Sequence, residues 1–329
     1  MRIATFNLES LDLVPGGEAA LARRIAVLAP LLDRLRADVL CLQEVNAQKR
    51  GLAAMRDQEG PSKRDPTALR RLLAATAYAD CHLVTSSGPS GEGMADVHNL
   101  AIVSRSPVLE TRELRNDLVP PPAYQAVTAE PREAGRLALA WDRPLLYALL
   151  ALPDGRRLHV INLHLRSPLA AAIPGQKTAP LVWSTTAGWA EGCLAATIKR
   201  SGQALEARLL VEALFDADPE ALIAVCGDLN AALEETPGRI LRATVEDSGN
   251  SALASRVLDP LEEDLPAERR FSVIHGGRPL LLDHILVSPA LKAAHRSIEA
   301  LNDGLPDEQS MTPDDPRSNH APLVAGFDL

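Results

Sequence analysis

"ALIAVCGDLN" (221–230) decides how this chain is read. Six apolar residues in a row have the composition of a strand buried on both faces, and the run then breaks into Gly227, Asp228 and Asn230. Side chains alternate along a strand, so an acid and an amide two positions apart project to the same side if the strand persists that far. Nine further runs have strand character: 2–8, 38–45, 80–86, 98–104, 145–152, 158–165, 270–276, 281–288 and 321–327. Helical periodicity is clearest over 18–36, 66–77 and 201–217, the last two opening at Asp65–Pro66 and Ser201. Several strands follow one another with only a turn between, as in "ALPDGRRLHV" (151–160), where Asp154–Gly155 marks a hairpin. This mixture predicts a sheet core with helices packed outside it. No linker or repeat divides the 329 residues, so one domain over 1–329 is expected. Long irregular stretches are predicted at 46–65, 86–96, 105–135 and 166–200, a length of loop that is usually functional.

The 46% hydrophobic and 23% charged content is globular and can supply a large core. The opening "MRIATFNLES" enters a strand pattern at once, and the apolar run at 145–152 is cut off by Pro153, so a soluble cytoplasmic protein without a membrane span is expected. Cys41, Cys81, Cys193 and Cys226 are scattered and lack the close pairing that binds zinc. Cys41 and Cys226 read as small core residues. The net charge of −9 gives no general basic face for nucleic acid. The basic clusters Lys49–Arg50, Lys63–Arg64 and Arg70–Arg71 read as solvated faces.

Five strands carry polar groups that a core does not need: Asn7, Glu44, Asn162 with His164, Asp228 with Asn230, and Asp283. Any one alone reads as a strand end satisfied by a neighbouring turn. Their recurrence is better explained if the strand ends converge, because a buried carboxylate is costly unless paired, hydrogen-bonded or metal-bound. Glu44, Asp228 and Asp283 would then make an oxygen-rich site suited to magnesium (Mg2+), with manganese (Mn2+) or calcium (Ca2+) as alternatives. His320, in "RSNHAPLVAGF" (317–327), is a candidate base beside such a site.

These motifs, in this order, resemble the endonuclease/exonuclease/phosphatase superfamily over essentially the whole chain. "TFNL" matches the family's strand-end Asn at Asn7, "LQEV" its metal-binding Glu at Glu44, and "INLHL" its active-site His at His164. "GDLN" matches its Asp and Asn at Asp228 and Asn230, "LDHILVS" its Asp at Asp283, and "SNHAPL" its terminal general-base His at His320. The resemblance implies a deoxyribonuclease I-like four-layer α/β sandwich, two packed, mainly antiparallel sheets with helices outside and the active site at one end. It implies a metal held by Glu44, with Asn7 and Asn319 as further candidates, and a water activated by His320 with Asp228. Asn230, Asn7 and His164 would bind the phosphate, Asp283 would brace a histidine or the metal shell, and Arg166 and Arg143 are lower-ranked phosphate contacts.

One position departs from the family, which usually has Asp directly before its last His, where this chain has Asn319. An amide there can accept from an imidazole but brings no charge, so His320 is expected to be held less firmly and to be a poorer base. The expected function is metal-dependent phosphoester hydrolysis, with a nuclease ranked first. A phosphatase or phosphodiesterase for a small molecule or lipid headgroup comes second, and a non-catalytic phosphate-binding module third. Aromatics are only 3% of the chain, few for a stacking groove. Trp183 and Trp189, with Lys177 and Lys199, either face the substrate from the 166–200 loop or, as tryptophans, anchor that loop onto the body. No obligate protein partner is indicated.

Overall fold

The computed structural model describes residues 1–14, 16–49, 64–88, 91 and 93–329. Arg50 and Lys63 of the basic clusters lie outside them, while Arg70 and Arg71 are exposed on a helix, as expected.

Two six-stranded sheets form the centre. The first contains β1 (Arg2–Leu11), β2 (Val39–Val45), β3 (His82–Thr85) and β4 (Asn99–Ser104). The second contains β5 (Val108–Leu114), β6 (Leu145–Ala151), β7 (Arg157–His164), β8 (Leu222–Asp228), β9 (Asp259–Pro260) and β10 (Asp283–Val287). The chain then returns to the first sheet with β11 (His295–Ala300) and β12 (Leu323–Phe327). Strand order is β11-β12-β1-β2-β4-β3 in one sheet and β9-β10-β8-β7-β6-β5 in the other. Each is mixed, with one parallel pair, β1 with β2 and β7 with β8, among antiparallel neighbours. The helices lie outside, giving the expected four layers. Leu21, Leu28, Leu32 and Leu35 of α1 (Glu18–Leu35) and Leu69 and Leu72 of α2 (Thr67–Ala74) pack on one sheet. Ala204, Ala207, Val211 and Phe215 of α3 (Thr186–Ala217) pack on the other.

Period-two alternation fills the space between the sheets with one set of side chains per strand. Ile3, Val39, Cys41, Leu158, Val160, Ala224, Cys226, Ile285 and Val287 form this inner core. Towards one end it turns polar. Gln43 donates through Nε2 to Asn162 Oδ1 at 2.7 Å, and Asn162 Nδ2 donates to the carbonyls of Leu42 and Ala101 at 3.0 and 2.9 Å. Asn162 is therefore a tie between sheets, not a site residue. One step further along the same face lie Asn7, His164, Asp228 and Asp283.

Several sequence expectations change. The 166–200 stretch is not one long loop, because α3 begins at Thr186, capped by Thr185 Oγ1 accepting from Gly188 N at 2.9 Å, and Ser201 lies inside it. The first half of this helix buries Gly188, Glu191, Gly192, Ala195 and Ala196 and has no leucine stripe. Gly202 admits the ring of Trp141, and Glu206 accepts from Trp141 Nε1 at 2.9 Å and from the amides of Asn116 and Leu118 at 3.1 and 2.9 Å. The 105–135 stretch contains β5, and 270–276 supplies only a short ribbon, Val273–His275 with Arg278–Leu280. The hairpin at Gly155 (φ +86°) is as read.

Candidate active site

The polar end of the inter-sheet core is a cluster shared by both sheets. Asn7 on β1 donates through Nδ2 to Asp228 Oδ2 on β8 at 3.0 Å and to Glu44 Oε1 at 3.4 Å. His164 lies beside Asp228 in the parallel register of β7 and β8, with Nε2 at 3.4 Å from Asp228 Oδ2 and 3.7 Å from Glu44 Oε1. Its approach depends on Gly227 (φ +146°), where a Cβ would sit 2.0 Å from Leu163 O.

Simple alternation would turn Glu44 away from the inner face that Gln43 occupies. Glu44 instead has φ +57°, and the β2–β4 register jumps between Leu42 and Val45. Its Oε2 accepts from the amide and hydroxyl of Ser10 at 3.0 and 3.1 Å. Asn230 also reaches the cluster by a left-handed residue, since β8 ends at Asp228. With φ +49°, Asn230 donates its amide to Asp228 Oδ1 at 2.8 Å and its Nδ2 to Leu165 O at 3.1 Å.

Asp283, not residue 319, holds His320. Asp283 Oδ2 accepts from His320 Nδ1 at 2.7 Å. Asn319 donates its backbone amide to Glu9 Oε2 at 2.8 Å, and its Oδ1 is buried without a hydrogen-bond partner among the described residues. The expectation that an amide at 319 leaves His320 loosely held is therefore corrected: the bracing carboxylate comes from β10, across the sheet interface. Ser318 Oγ pins this segment by donating to Asn7 O at 2.8 Å.

These contacts set the charges. Burial alone would lower the His320 imidazole, but Asp283, Asp228 and Glu44 outweigh it and raise it to about 10. Burial raises Asp228 to about 6, Asp283 adding to the rise and His320 opposing it. Burial, with Arg143, His98 and His320, pushes His164 well below its usual range, so it is neutral at pH 7. Glu44 is held below the ordinary carboxylate value because His98, Arg143 and His320 prevail over burial.

His98 is the residue the sequence reading passed over. It stands at the start of β4 with Nδ1 3.9 Å from Glu44 Oε2, and the rule that found the other strand-end groups applies equally to "HNLAIVS". Arg143 donates to Leu165 O at 3.1 Å and is coupled electrostatically to Glu44 and Asp228. Arg166 is not in the cluster; it is ion-paired with Asp142, which also takes Lys199 Nζ at 2.6 Å. Trp189 lies on α3, half exposed, and Trp183 stacks under Lys177 Nζ at 4.8 Å from its ring centre.

The donor set suits a hard divalent cation. Oxygen donors predominate, and Asp283 Oδ1 and Asn319 Oδ1 are buried without partners among the described residues. Ligand atoms of Asp228, Asp283 and His320 also lie within 4.8 Å of one another, but His320 Nδ1 donates to Asp283, so this trio is engaged internally.

Two face-to-face mixed sheets with outer helices and an acid–imidazole cluster across one end define a deoxyribonuclease I-like α/β sandwich. The Endonuclease/Exonuclease/phosphatase family model matches residues 4–304, and the chain belongs to that family. No curated protein matches it. Among solved structures, a mannosyl-6-phosphatase from Bacteroides thetaiotaomicron aligns with TM-score 0.59 and 13% identity over 100% of both chains. An AP endonuclease from Archaeoglobus fulgidus aligns with TM-score 0.52 and 18% identity over 100% of both chains. A 3'-5' exonuclease from Neisseria meningitidis gives the same TM-score, 0.52, and identity, 18%, over 100% of both chains. At these identities the likeness is one of fold. Among the described residues no helix is long and apolar enough to cross a membrane.

Proposed function

We propose that the chain, acting as one domain over 1–329, is a divalent-metal-dependent phosphoester hydrolase whose base is Asp228. The observation that carries this reading is the geometry at the sheet end: Asp228 is aimed by Asn7 Nδ2 and the Asn230 amide beside a His320 whose Nδ1 donates to Asp283, an arrangement in which burial raises the Asp228 carboxyl and the surrounding carboxylates raise the His320 imidazole. Near pH 7 Asp228 can take a proton from water, whereas His320 already carries one. This reverses the roles expected from sequence, where His320 is the base. Asp283 Oδ2 accepts a hydrogen bond from His320 Nδ1–H, which leaves Nε2–H to donate to a phosphoryl oxygen. Asn7 and Asn230 keep the Asp228 carboxylate aimed, and Arg143 adds positive charge where the transition state gains negative charge. Neutral His164 offers a hydrogen bond to the same phosphate.

Glu44, with the oxygens of Asn7 or Asn319, would hold the ion, magnesium first and manganese or calcium as alternatives. The chemistry it supplies when bound is neutralisation of charge on the phosphoryl and leaving-group oxygens.

Nucleic-acid cleavage, ranked first from the sequence, is the reading favoured by the family, whose description spans endonucleases and exonucleases. A smaller phosphoester is favoured by this chain's own surface. Arg166 and Lys199 near the site are engaged by Asp142, and the net charge is −9. The test is a panel of plasmid DNA, single-stranded DNA, RNA and small phosphoesters with magnesium, manganese and calcium. Turnover of at least one substrate that stops on chelation is expected. Binding without turnover supports the phosphate-binding module instead.

A further inference from the structure

Behind the sheet that carries Asp228 lies a second histidine and carboxylate that the proposed chemistry does not use. Asp283 and His284 are neighbours on β10 and face opposite ways. Asp283 reaches His320, while His284 shares the outer side with Leu286, which packs in the core under α3. His284 and Glu262 are 1% and 0% exposed. His284 Nε2 lies 2.9 Å from Ala231 O and, since a carbonyl can only accept, carries the hydrogen of that bond. His284 Nδ1 lies 3.1 Å from Glu262 Oε1. The same oxygen accepts from Ile285 N at 2.7 Å, which fixes the carboxylate at the sheet edge where β9 stops.

Ala231 closes the turn on which Asn230 depends. Asn230 sits at φ +49°, a conformation that local sterics disfavour, and its amide aims Asp228 Oδ1 only while that turn persists. Two consecutive carbonyls of the turn are held from outside the cluster: Asn230 O by the guanidinium of Arg200 on α3, and Ala231 O by His284. Arg200 is 5% exposed and has its own carboxylate, Glu235, at 3.6 Å. Replacing a buried ion pair by packed apolar residues is often neutral or stabilising, and Leu286 shows that this face of β10 accepts a leucine. Core stability therefore does not explain two buried cations, each with a carboxylate, that end on adjacent carbonyls of one left-handed turn. Their shared target does.

We propose that His284, held by Glu262, and Arg200 are positioning residues that clamp the turn at Asn230 and so keep Asp228 aimed for the reaction. The proposal rests on the reading of Asp228 as the base. It is tested in the full-length protein with His284→Phe, which keeps a ring and loses the donor, and with His284→Gln, whose amide Nε2 can replace the imidazole Nε2–H. The readouts are kcat and KM for bis(p-nitrophenyl) phosphate with magnesium, and hydrogen exchange of the Asn230 amide by NMR. His284→Phe should lose about ten- to a hundredfold in kcat with KM unchanged, and its Asn230 amide should exchange about tenfold faster. His284→Gln should restore most of both. If His284→Phe fails to fold, Arg200→Met, which keeps the aliphatic stem, is read in the same way with Arg200→Lys as the conservative variant. Unchanged kcat or unchanged Asn230 exchange in the folded variant overturns the proposal, as does a change confined to KM or a loss that the conservative variant does not relieve. A wild-type protein inert towards the phosphodiester and every substrate in the metal panel overturns the hydrolase reading, and the exchange comparison, which needs no turnover, still decides the clamp.

Discussion

Replacing Asp283 with Asn removes the nearest charge on His320 while keeping an oxygen that can accept from Nδ1. Raising an imidazole from 6.5 to about 10 corresponds to roughly 5 kcal/mol in favour of its charged form, already net of burial. Asp283, Asp228 and Glu44 share that effect, and Asp283 at 2.7 Å is the largest contributor of the three. Removing its charge should therefore lower the His320 midpoint by roughly 1.5 pH units, about 2 kcal/mol. The assay is NMR titration of the His320 ring protons in metal-free protein, wild type against Asp283→Asn. A linked stability measurement follows with a definite sign. The folded value of His320 is raised, so its contribution is fully present below 6.5 and is lost as pH rises through about 10. Asp228 is raised too, so its contribution is present below 3.8 and is lost as pH rises through about 6. The alkaline loss belongs to His320 and should level off earlier in Asp283→Asn. A wild-type His320 that titrates near 6.5, or a midpoint unmoved by the substitution, would refute the assigned charges.

Asn319→Asp adds a carboxylate where a buried amide oxygen has no partner among the described residues, and should tighten manganese binding about tenfold by calorimetry, since ligand charge tunes affinity for hard cations. Unchanged affinity would remove Asn319 from the ion's surroundings. Glu206→Ala strands two backbone amides and the indole of Trp141, and should cost about 3–5 kcal/mol in urea unfolding. A loss below about 1 kcal/mol would mean those groups find other partners. Gly227→Ala drives a Cβ into Leu163 O and should destabilise the protein and lower activity together, read as a reduced unfolding midpoint and turnover. A fully active, equally stable variant would contradict the close approach of β7 and β8.

Much of this was legible because strands advertise their faces. The alternation that puts Cys226 in the inner core also puts Asp228 at its end, and the same count carries Asn162 to His164. What period two cannot reveal is a left-handed residue. Glu44 and Asn230 reach the cluster through φ +57° and +49°, against or beyond the strand's own alternation. The first half of α3 gives no helical signal in the sequence because its buried positions are Gly188, Glu191, Gly192, Ala195 and Ala196, which make no apolar stripe. The resemblance offers Asp283 as the brace of a histidine or of the metal shell, and only the fold decides for His320, because Asp283 is 37 positions away and belongs to the opposite sheet. β5 and β11 are largely exposed edge strands, and their mixed polar sequences lack the signal of the central ones.

The role of Asp228 as the base of a metal-dependent phosphoester hydrolase is tested most directly by one measurement. It is turnover of bis(p-nitrophenyl) phosphate by wild type and Asp228→Asn, with magnesium and with chelator, alongside the unfolding midpoint of each. Wild type should turn over only with the ion, and Asp228→Asn should stay folded while losing roughly a thousandfold in kcat. A folded Asp228→Asn protein that retains full rate, or a wild-type rate indifferent to chelation, would contradict it.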